Sequence, residues 1–130
     1  MFPGYLLLRM VGIDVALPHE DRAANVTMRL PYQDVEGPFD FAFNMAIFQE
    51  MELETVNRYI RLIHSLLGSG GTFQHINLQQ SKQFPNNKAA EYDLSGFSAP
   101  HVKAVPYHSS LDPKSPMLCV MTHKISDTAK

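Results

Sequence analysis

The stretch FDFAFNMAIFQEMELETVNRYIRLIHSLLGSGGTFQHIN, residues 39–77, decides the fold. Its first seven residues, 39–45, form a short run rich in apolar and aromatic side chains. The breaker pair Gly37-Pro38 precedes the run. A short apolar run bounded by turn residues is typical of a strand buried on both faces, as in a parallel sheet. We therefore predict a buried strand over residues 39–45.

A helix is predicted next. Apolar residues recur at positions 56, 59, 60, 63, 66 and 67, and this spacing places them on one stripe of a helix. Glu52 and Glu54 lie near the predicted start, where carboxylates favour the positive end of the helix dipole. Gly68 follows the last periodic residue, so we expect it to form a left-handed C-terminal cap.

The glycine-rich segment GSGG, residues 68–71, precedes a second strand, which we predict over TFQHINLQ, residues 72–79. Strand, helix, glycine turn and strand make a βαβ unit, which joins parallel strands. A glycine loop that binds a phosphate or a dinucleotide follows a strand and opens a helix. The order is reversed here, so we predict a structural role for GSGG.

The rest of this region predicts a loop and a hairpin. Residues 79–100 are polar and read as a loop with a helical turn over 88–92. HVKAVPYHSS (101–110) and PMLCVMTHKI (116–125) read as strands joined at a turn around Asp112. We read Cys119, in the apolar run MLCVM, as a buried strand residue. The fold class is therefore α/β, with parallel strands followed by a C-terminal antiparallel hairpin.

Residues 1–38 leave alternatives open. VGIDVAL and NVTMRL each have the pattern of a strand, whereas YLLLRM could equally be the end of a helix. A chain of this length suits one compact domain, which we divide into this open segment, 1–38, an α/β region over 39–125 and a tail over 126–130.

Composition excludes several classes of partner. The chain has 130 residues, 45% of them hydrophobic, and a net charge of -2. The absence of a basic surplus argues against nucleic acid and anionic membranes as partners, and no apolar run approaches the roughly 18 residues of a membrane span. The single cysteine cannot form an internal disulfide, so we expect a cytoplasmic location. His101, His108 and His123 lack metal-ligand spacing, so no metal site is predicted.

Residues 35–125 resemble the second half of a class I S-adenosylmethionine-dependent methyltransferase. The resemblance is carried by Phe39-Asp40, at the start of the predicted strand over 39–45, which corresponds to the family's fourth strand. It is also carried by the pattern Leu-Leu-x-x-Gly-Gly over residues 66–71, which leads into the fifth. More narrowly, residues 48–59, with FQEM followed by ETV and a tyrosine, are similar to the sugar O-methyltransferase group. The resemblance implies an incomplete Rossmann-like methyltransferase sheet, in which the hairpin provides the sixth and seventh strands.

This resemblance also implies a cofactor and a substrate. The cofactor would be S-adenosylmethionine, and the substrate a small molecule with an acceptor oxygen, for which a sugar hydroxyl is the candidate. No G-x-G-x-G-like segment occurs upstream of Phe39, so the chain looks like a truncated C-terminal part, and we expect weak or absent cofactor binding. A homodimer or a separate N-terminal half would then cover the exposed strand edge.

The rival hypothesis is a non-catalytic α/β domain that serves interaction or assembly. A half-sheet that ends at the strand over 39–45 would expose an apolar edge and apolar faces, and such surfaces usually find a partner. The sequence does not decide between an enzyme and this alternative.

Candidate site residues follow from the position of ligands in open α/β sheets, at the carboxyl ends of the strands. Asn44, Met45 and Ala46 end one strand and are candidate cofactor contacts. Asn77 ends the next strand, and Gln49 lies just past the first, so both are candidates for substrate binding.

Two residues are candidates for catalysis. Glu50 could bind an acceptor hydroxyl, with a surface cap or ion pair as the alternative. His75 could act as a general base, since imidazole titrates near neutral pH, with an ordinary polar residue at a strand end as the alternative. Upstream, Asp14 resembles the acidic residue that binds ribose hydroxyls in the family, with a loop or capping carboxylate as the alternative.

Overall fold

The computed structural model describes residues 8–30, 33–105 and 116–125. The chain divides into two compact units, Met1–Glu36 and Gly37–Lys130. The predicted tail over 126–130, His108 and the hairpin turn around Asp112 lie outside the described residues.

The first unit contains a short parallel strand pair. Strand β1 (Val15–Ala16) pairs with strand β2 (Val26–Thr27), and both residues of β1 are fully buried. Each of the stretches VGIDVAL and NVTMRL therefore contributes two paired residues. Residues 8–10 are helical, which agrees with the alternative that YLLLRM ends a helix.

The second unit is a four-stranded mixed sheet with one long helix. Its elements are strand β3 (Phe39–Met45), helix α1 (Leu53–Leu66) and strands β4 (Leu67–Leu78), β5 (His101–Val105) and β6 (Met117–His123). The strand order is β3-β4-β6-β5. β3 and β4 are parallel, and β6 runs antiparallel to both of its neighbours. The predicted α/β class, with parallel strands and a C-terminal hairpin, is confirmed.

One face of this sheet carries the core. Val56 and Ile60, from the predicted apolar stripe of α1, pack in a buried cluster with Phe73 of β4. The segment after β4 adds Tyr92 and Phe97 to the same cluster. A single helical turn over Ala89–Glu91, within the range predicted from sequence, lies just before Tyr92.

The prediction that β3 is buried on both faces is wrong. Phe41, Phe43 and Met45 are 53%, 52% and 55% exposed, whereas Ala42 and Asn44 between them are half-buried. Successive side chains of a strand point to opposite faces of the sheet. Only the face that carries Ala42 is packed against the core cluster, and the described residues leave the face with the aromatic side chains open.

The predicted left-handed cap at Gly68 is also wrong. After α1 the backbone of Leu67 is extended, with φ −77° and ψ 140°, so the chain passes from helix to strand without a glycine cap. Between the pairs Phe39↔Leu67 and Phe41↔Thr72 the register shifts, and GSGG bulges out of the ladder. The positive φ lies at Gly70, at 77°. Its N–H donates to the Lys124 carbonyl at 3.0 Å, which agrees with a structural role for the segment.

Candidate functional site

A network of amide side chains lies at the carboxyl ends of β3 and β4. Asn77 donates through Nδ2 to Oδ1 of Asn44 at 3.0 Å and to Nδ1 of His75 at 3.2 Å. The Oδ1 atom of Asn77 accepts the backbone N–H of Gln49 at 3.2 Å. In return, Oε1 of Gln49 accepts the N–H of Leu78 at 2.9 Å. The structure thus brings four of the residues singled out in the sequence into one cluster.

A tight turn after β3 places Gln49 over the end of β4. Ala46 follows the last strand residue with φ 58°, a left-handed conformation that is uncommon for any residue but glycine. Its N–H donates to the Ile76 carbonyl at 2.7 Å, which holds the turn against β4. The hydroxyl of Ser81 donates to the carbonyl of Gln49 at 2.6 Å. The turn is therefore fixed at both ends by hydrogen bonds.

The side-chain amide of Asn87 stabilises this turn through hydrogen bonds. Its Nδ2 atom donates to the carbonyls of Phe48 at 2.7 Å and Met51 at 2.6 Å, and its Oδ1 atom accepts the Tyr92 hydroxyl at 2.7 Å. Asn87 is buried, so these bonds satisfy polar groups that water does not reach. Sequence reasoning missed this residue because one asparagine in a polar loop has no periodic signal. The only local hint was its place in a turn-forming stretch.

His75 lies inside the core and does not have the geometry of a general base. Its Nδ1 atom accepts a hydrogen bond from Asn77, so Nε2 carries the proton. In the described part of the chain Nε2 has no hydrogen-bond partner, and the ring lies 5.4–6.0 Å from those of Tyr92, Phe73 and Phe48. Burial lowers the pKa of His75 to about 4, so the ring is neutral near pH 7. It is also 1% exposed, unlike an ordinary polar residue at a strand end.

The other candidates near the strand ends do not converge with the network. Met45 lies on the open face, opposite to Asn44 on the same strand. Glu50 is exposed, and its carboxylate accepts one long hydrogen bond, from Nε2 of Gln49 at 3.5 Å. Glu50 therefore keeps a carboxylate that could bind another group, whereas Met45 offers only an apolar surface.

Asp14 lies in the first unit and is engaged by arginine. Nη1 of Arg22 is 3.1 Å from both carboxylate oxygens, and Nη2 of the same guanidinium donates to the Val15 carbonyl at 2.8 Å. Arg9 lies 3.7 Å away on the same carboxylate. Because both oxygens of Asp14 are occupied, this geometry favours the loop alternative over the ribose-binding role.

A groove of about 550 Å³ lies beside the start of α1. It has two carboxylates, one guanidinium and two amides, with an apolar wall of aliphatic and aromatic side chains. The lining residues are Glu52, Leu53, Glu54, Asn57, Arg61, Phe84, Pro85 and Asn86. Sequence reasoning assigned the two glutamates to the helix dipole alone, because the opposite wall comes from a loop far along the chain.

The residues present fit S-adenosylmethionine in part. In the described residues, Nδ2 of Asn44 makes no hydrogen bond and could donate to a hydroxyl or a ring nitrogen. The same ranges contain no glycine-rich turn from a strand into a helix, which is the part that would hold the methionine end of the cofactor. The cluster could therefore contact one portion of such a molecule.

The described ranges contain no group of three or more histidine, cysteine, aspartate or glutamate side chains placed to hold a metal ion. In those ranges no helix has both the length and the apolar character that crossing a membrane requires. A scan against models of known protein families found no match to this chain, and a search of curated proteins found no relative.

Proposed function

We propose that this chain carries the second half of an S-adenosylmethionine-dependent methyltransferase-like sheet. The observation that supports this best is the relation between β3, α1 and β4. In a doubly wound sheet the fourth and fifth strands are parallel neighbours joined by a helix, and the first strand lies on the other side of the fourth. β3 and β4 have this relation, and within the described residues no strand lies on the other side of β3.

The C-terminal hairpin also supports the proposal. The last strand, β6, lies between β4 and β5 and runs antiparallel to both. The resemblance implies a hairpin of sixth and seventh strands at this end of the sheet, and the order and directions of β5 and β6 are compatible with that hairpin. An inserted antiparallel strand is compatible with a sheet that is otherwise parallel.

At the carboxyl end of β3 the chain offers a rigid contact for part of the cofactor. When bound, S-adenosylmethionine supplies the methyl group that is transferred. Nδ2 of Asn77 donates a hydrogen bond to Oδ1 of Asn44 and so fixes that side chain. The Nδ2 atom of Asn44 is thereby held in place as a donor. Preorganised donors lose little freedom when a ligand binds. Asn44 is thus the best-placed of the candidate cofactor contacts.

For the acceptor, the groove beside α1 has the chemistry of a site for a hydroxylated molecule. Glu52 and Glu54 can accept hydrogen bonds from hydroxyls, Arg61 can donate them, and Phe84 offers a flat apolar surface. Glu50, which is exposed, is the candidate to bind the reacting hydroxyl. A sugar has the alternation of hydroxyl groups and apolar ring faces that such a lining requires.

The test is a titration of the ¹⁵N-labelled chain with S-adenosylhomocysteine, followed by amide chemical shifts. We expect saturable shifts confined to residues 44–50 and 77–79, with a dissociation constant of about 1 mM, because the described residues contain no glycine-rich turn from a strand into a helix that would bind the methionine end. Asn44→Ala should weaken binding. Asp40→Ala, at the other end of the same strand, should leave binding unchanged.

A folded chain whose amide signals do not move at saturating S-adenosylhomocysteine would refute the proposal for this polypeptide. Shifts spread evenly over the chain, or equal for both variants, would count against a site at the end of β3.

The open face of β3 favours a second candidate, a non-catalytic interaction domain. Three large apolar side chains of one strand are more than half exposed on that face, namely Phe41, Phe43 and Met45. Contiguous apolar surface of this kind marks interaction sites. For this candidate we expect no response to S-adenosylhomocysteine together with specific association through β3.

A further inference from the structure

The side-chain alternation of β3 is reversed relative to the core. Phe41, Phe43 and Met45 point to the open face, whereas Ala42 and Asn44 point to the face that α1 covers. A strand with one buried face normally turns its apolar residues toward the buried side, because a shift of one residue would move them all into water. The face that β3 is suited to bury is therefore the open one.

The apolar side chains of the open face that are more than half exposed lie at this edge of the sheet. Across β4, the residues opposite Phe41 and Phe43 are Thr72 and Gln74, which are polar. On β5, at the far side, Lys103 lies on the same face. On the same face β4 and β6 also carry Ile76 and Met121, which are less exposed than the apolar side chains of β3, so the most exposed apolar surface lies at β3.

The two edge strands differ in how they resist pairing. β5 contains His101 and Lys103, both exposed, and follows Pro100. Lysine on an edge strand discourages the addition of another strand, whereas a proline precedes both edge strands, Pro100 before β5 and Pro38 before β3. β3 has one charged residue, Asp40. The rings of Phe41 and Phe43 stack on its open face, with their centroids 6.3 Å apart. β3 is thus the edge that can accept a further strand.

The backbone of β3 is oriented for such pairing. The N–H of Ala46 donates to Ile76 of β4, so alternation directs the main-chain groups of Ala42 toward β4 as well. The main-chain groups of Phe41 and Phe43 then point away from β4, toward the edge that no described strand occupies. The residues that can bond a new strand are those with the exposed aromatic side chains.

We propose that β3 pairs antiparallel with β3 of a second copy of this chain, across a two-fold axis at Ala42. The strand sequence FDFAFNM is nearly symmetric about its central residue. Phe41 lies opposite the partner's Phe43, and Asp40 lies opposite the partner's Asn44. All seven residues of the strand are paired in this register, and no like charges face each other.

A second copy fits this edge better than an unrelated partner because a two-fold interface must be self-complementary, and this strand is. The exposed parts of four side chains, Phe41, Phe43, Met45 and Ile47, amount to about 400 Å² of apolar surface per copy. Edge-to-edge pairing places Phe41 beside the partner's Phe43 on the same face and covers only part of this surface, whereas a standard interface buries about 800 Å² per partner, so we expect a weak dimer with a micromolar dissociation constant. The inference goes beyond the proposed function and does not depend on cofactor binding.

Sedimentation velocity over about 1 to 200 μM protein tests the dimer. We expect a shift from monomer to dimer in this range. Phe43→Lys places a charge in the paired strand and should raise the dissociation constant more than about tenfold. Leu62→Lys is the matched control, since Leu62 is 51% exposed on α1, away from the sheet edge, and should leave dimerisation unchanged.

Cysteine cross-linking tests the register. In a Cys119→Ala background, Ala42→Cys places two thiols at the two-fold axis. The Cα atoms of such a non-hydrogen-bonded pair lie about 4.5 Å apart, within the range of a disulfide. Phe43→Cys is the control, because its counterpart across the axis is the partner's Phe41. We expect a disulfide-linked dimer for Ala42→Cys and not for Phe43→Cys.

Several results would overturn the proposal. These are a monomer at 200 μM, a dimer that Phe43→Lys leaves intact, growth beyond the dimer with concentration, or cross-linking at position 43 and not at 42. If circular dichroism shows that Phe43→Lys does not fold, the two cysteine variants decide the matter. S-adenosylhomocysteine plays no part in these experiments, so their failure is distinct from a failure of the proposed function.

Discussion

The two faces of the four-stranded sheet carry the same kind of side chain in opposite surroundings. On the covered face, Phe73 is fully buried, with ring centroids 6.3 Å from Phe48 and 5.7 Å from Phe97. On the open face, Phe41 and Phe43 stack on each other at 6.3 Å and are more than half exposed. The contribution of an aromatic strand residue thus depends on the element packed over it more than on strand propensity.

The faces also differ in their polar groups. Asn77 and His75 lie on the covered face, where they are buried and bonded to each other. On the open face Gln74, the neighbour of Phe43 in the ladder, is half-buried and donates to the sulfur of Cys119 at 3.1 Å. The covered face is a packed core with hydrogen-bonded polar groups, whereas the open face mixes polar and apolar side chains and is most exposed at β3.

Replacing one phenylalanine on each face should give the largest difference in the free energy of unfolding between the two faces. Phe73→Ala leaves a cavity in the core and should lower the free energy of unfolding by about 4 kcal/mol. Phe43→Ala removes a side chain that is already half in water, so its cost should stay below about 1 kcal/mol. Urea denaturation of both variants, at a protein concentration below the expected dimer range, provides the measurement. Equal losses would contradict the distinction between the faces.

The pH dependence of stability should report on the covered face through His75. The pKa of His75 is lowered to about 4 in the folded protein because burial disfavours the charged ring. An unfolded chain binds a proton at this residue near pH 6.5, so stability is fully present above that pH and falls as the pH drops toward 4. The loss attributable to His75 should approach about 3 kcal/mol.

A histidine on the open face supplies the control for this measurement. Urea denaturation between pH 7 and 4 gives the free energy of unfolding of wild type and of His75→Phe as a function of pH. The difference between their two slopes is the contribution of His75. His101→Phe changes an exposed residue and retains His75, so it should keep the wild-type slope. If His75→Phe kept the same pH dependence as wild type, the ring would not be buried as described.

The sequence predicts the elements well and the faces poorly. Period 3.6 located α1, and a run of apolar residues located β3 at its observed bounds. The run concealed a period of two, since Asp40, Ala42 and Asn44 alternate with the aromatic side chains. Which side the helix covers depends on packing between residues far apart in the chain, and local pattern does not encode it.

The candidate site shows the same limit. The rule that ligands lie at the carboxyl ends of strands selected Asn44 and Asn77, which the structure does bring together. It could not find Asn87, because its partners Phe48 and Met51 are more than thirty positions away. Nor could it find that His75 is enclosed by aromatic rings, since residue type alone suggested a base.

Two glycines at the start of β4, Gly68 and Gly71, test the bulged geometry of GSGG, from which both faces of the sheet continue. A Cβ on Gly71 would lie 2.8 Å from the Gly68 carbonyl oxygen and 3.2 Å from that of Phe39. Gly71→Ala should therefore cost about 2 kcal/mol, because backbone atoms have to move. A Cβ on Gly68 meets nothing closer than 3.5 Å, so Gly68→Ala should be tolerated. Thermal unfolding of the two variants separates them, and equal melting temperatures would argue against the bulged geometry of GSGG.

The smallest expected effect lies at the other end of the sheet, where β3 stops. Ala46 has φ 58°, which costs a residue with a Cβ about 1 kcal/mol relative to glycine, so Ala46→Gly should raise the free energy of unfolding by up to that amount. Ala42→Gly, four positions earlier in the extended strand, should lower it by about 0.5–1 kcal/mol, because glycine loses more freedom on folding. In urea denaturation, replacing alanine by glycine should therefore change the free energy of unfolding with opposite signs at the two positions. The same sign at both positions would mean that the turn after Met45 is not left-handed, and that the amide cluster it supports is arranged differently.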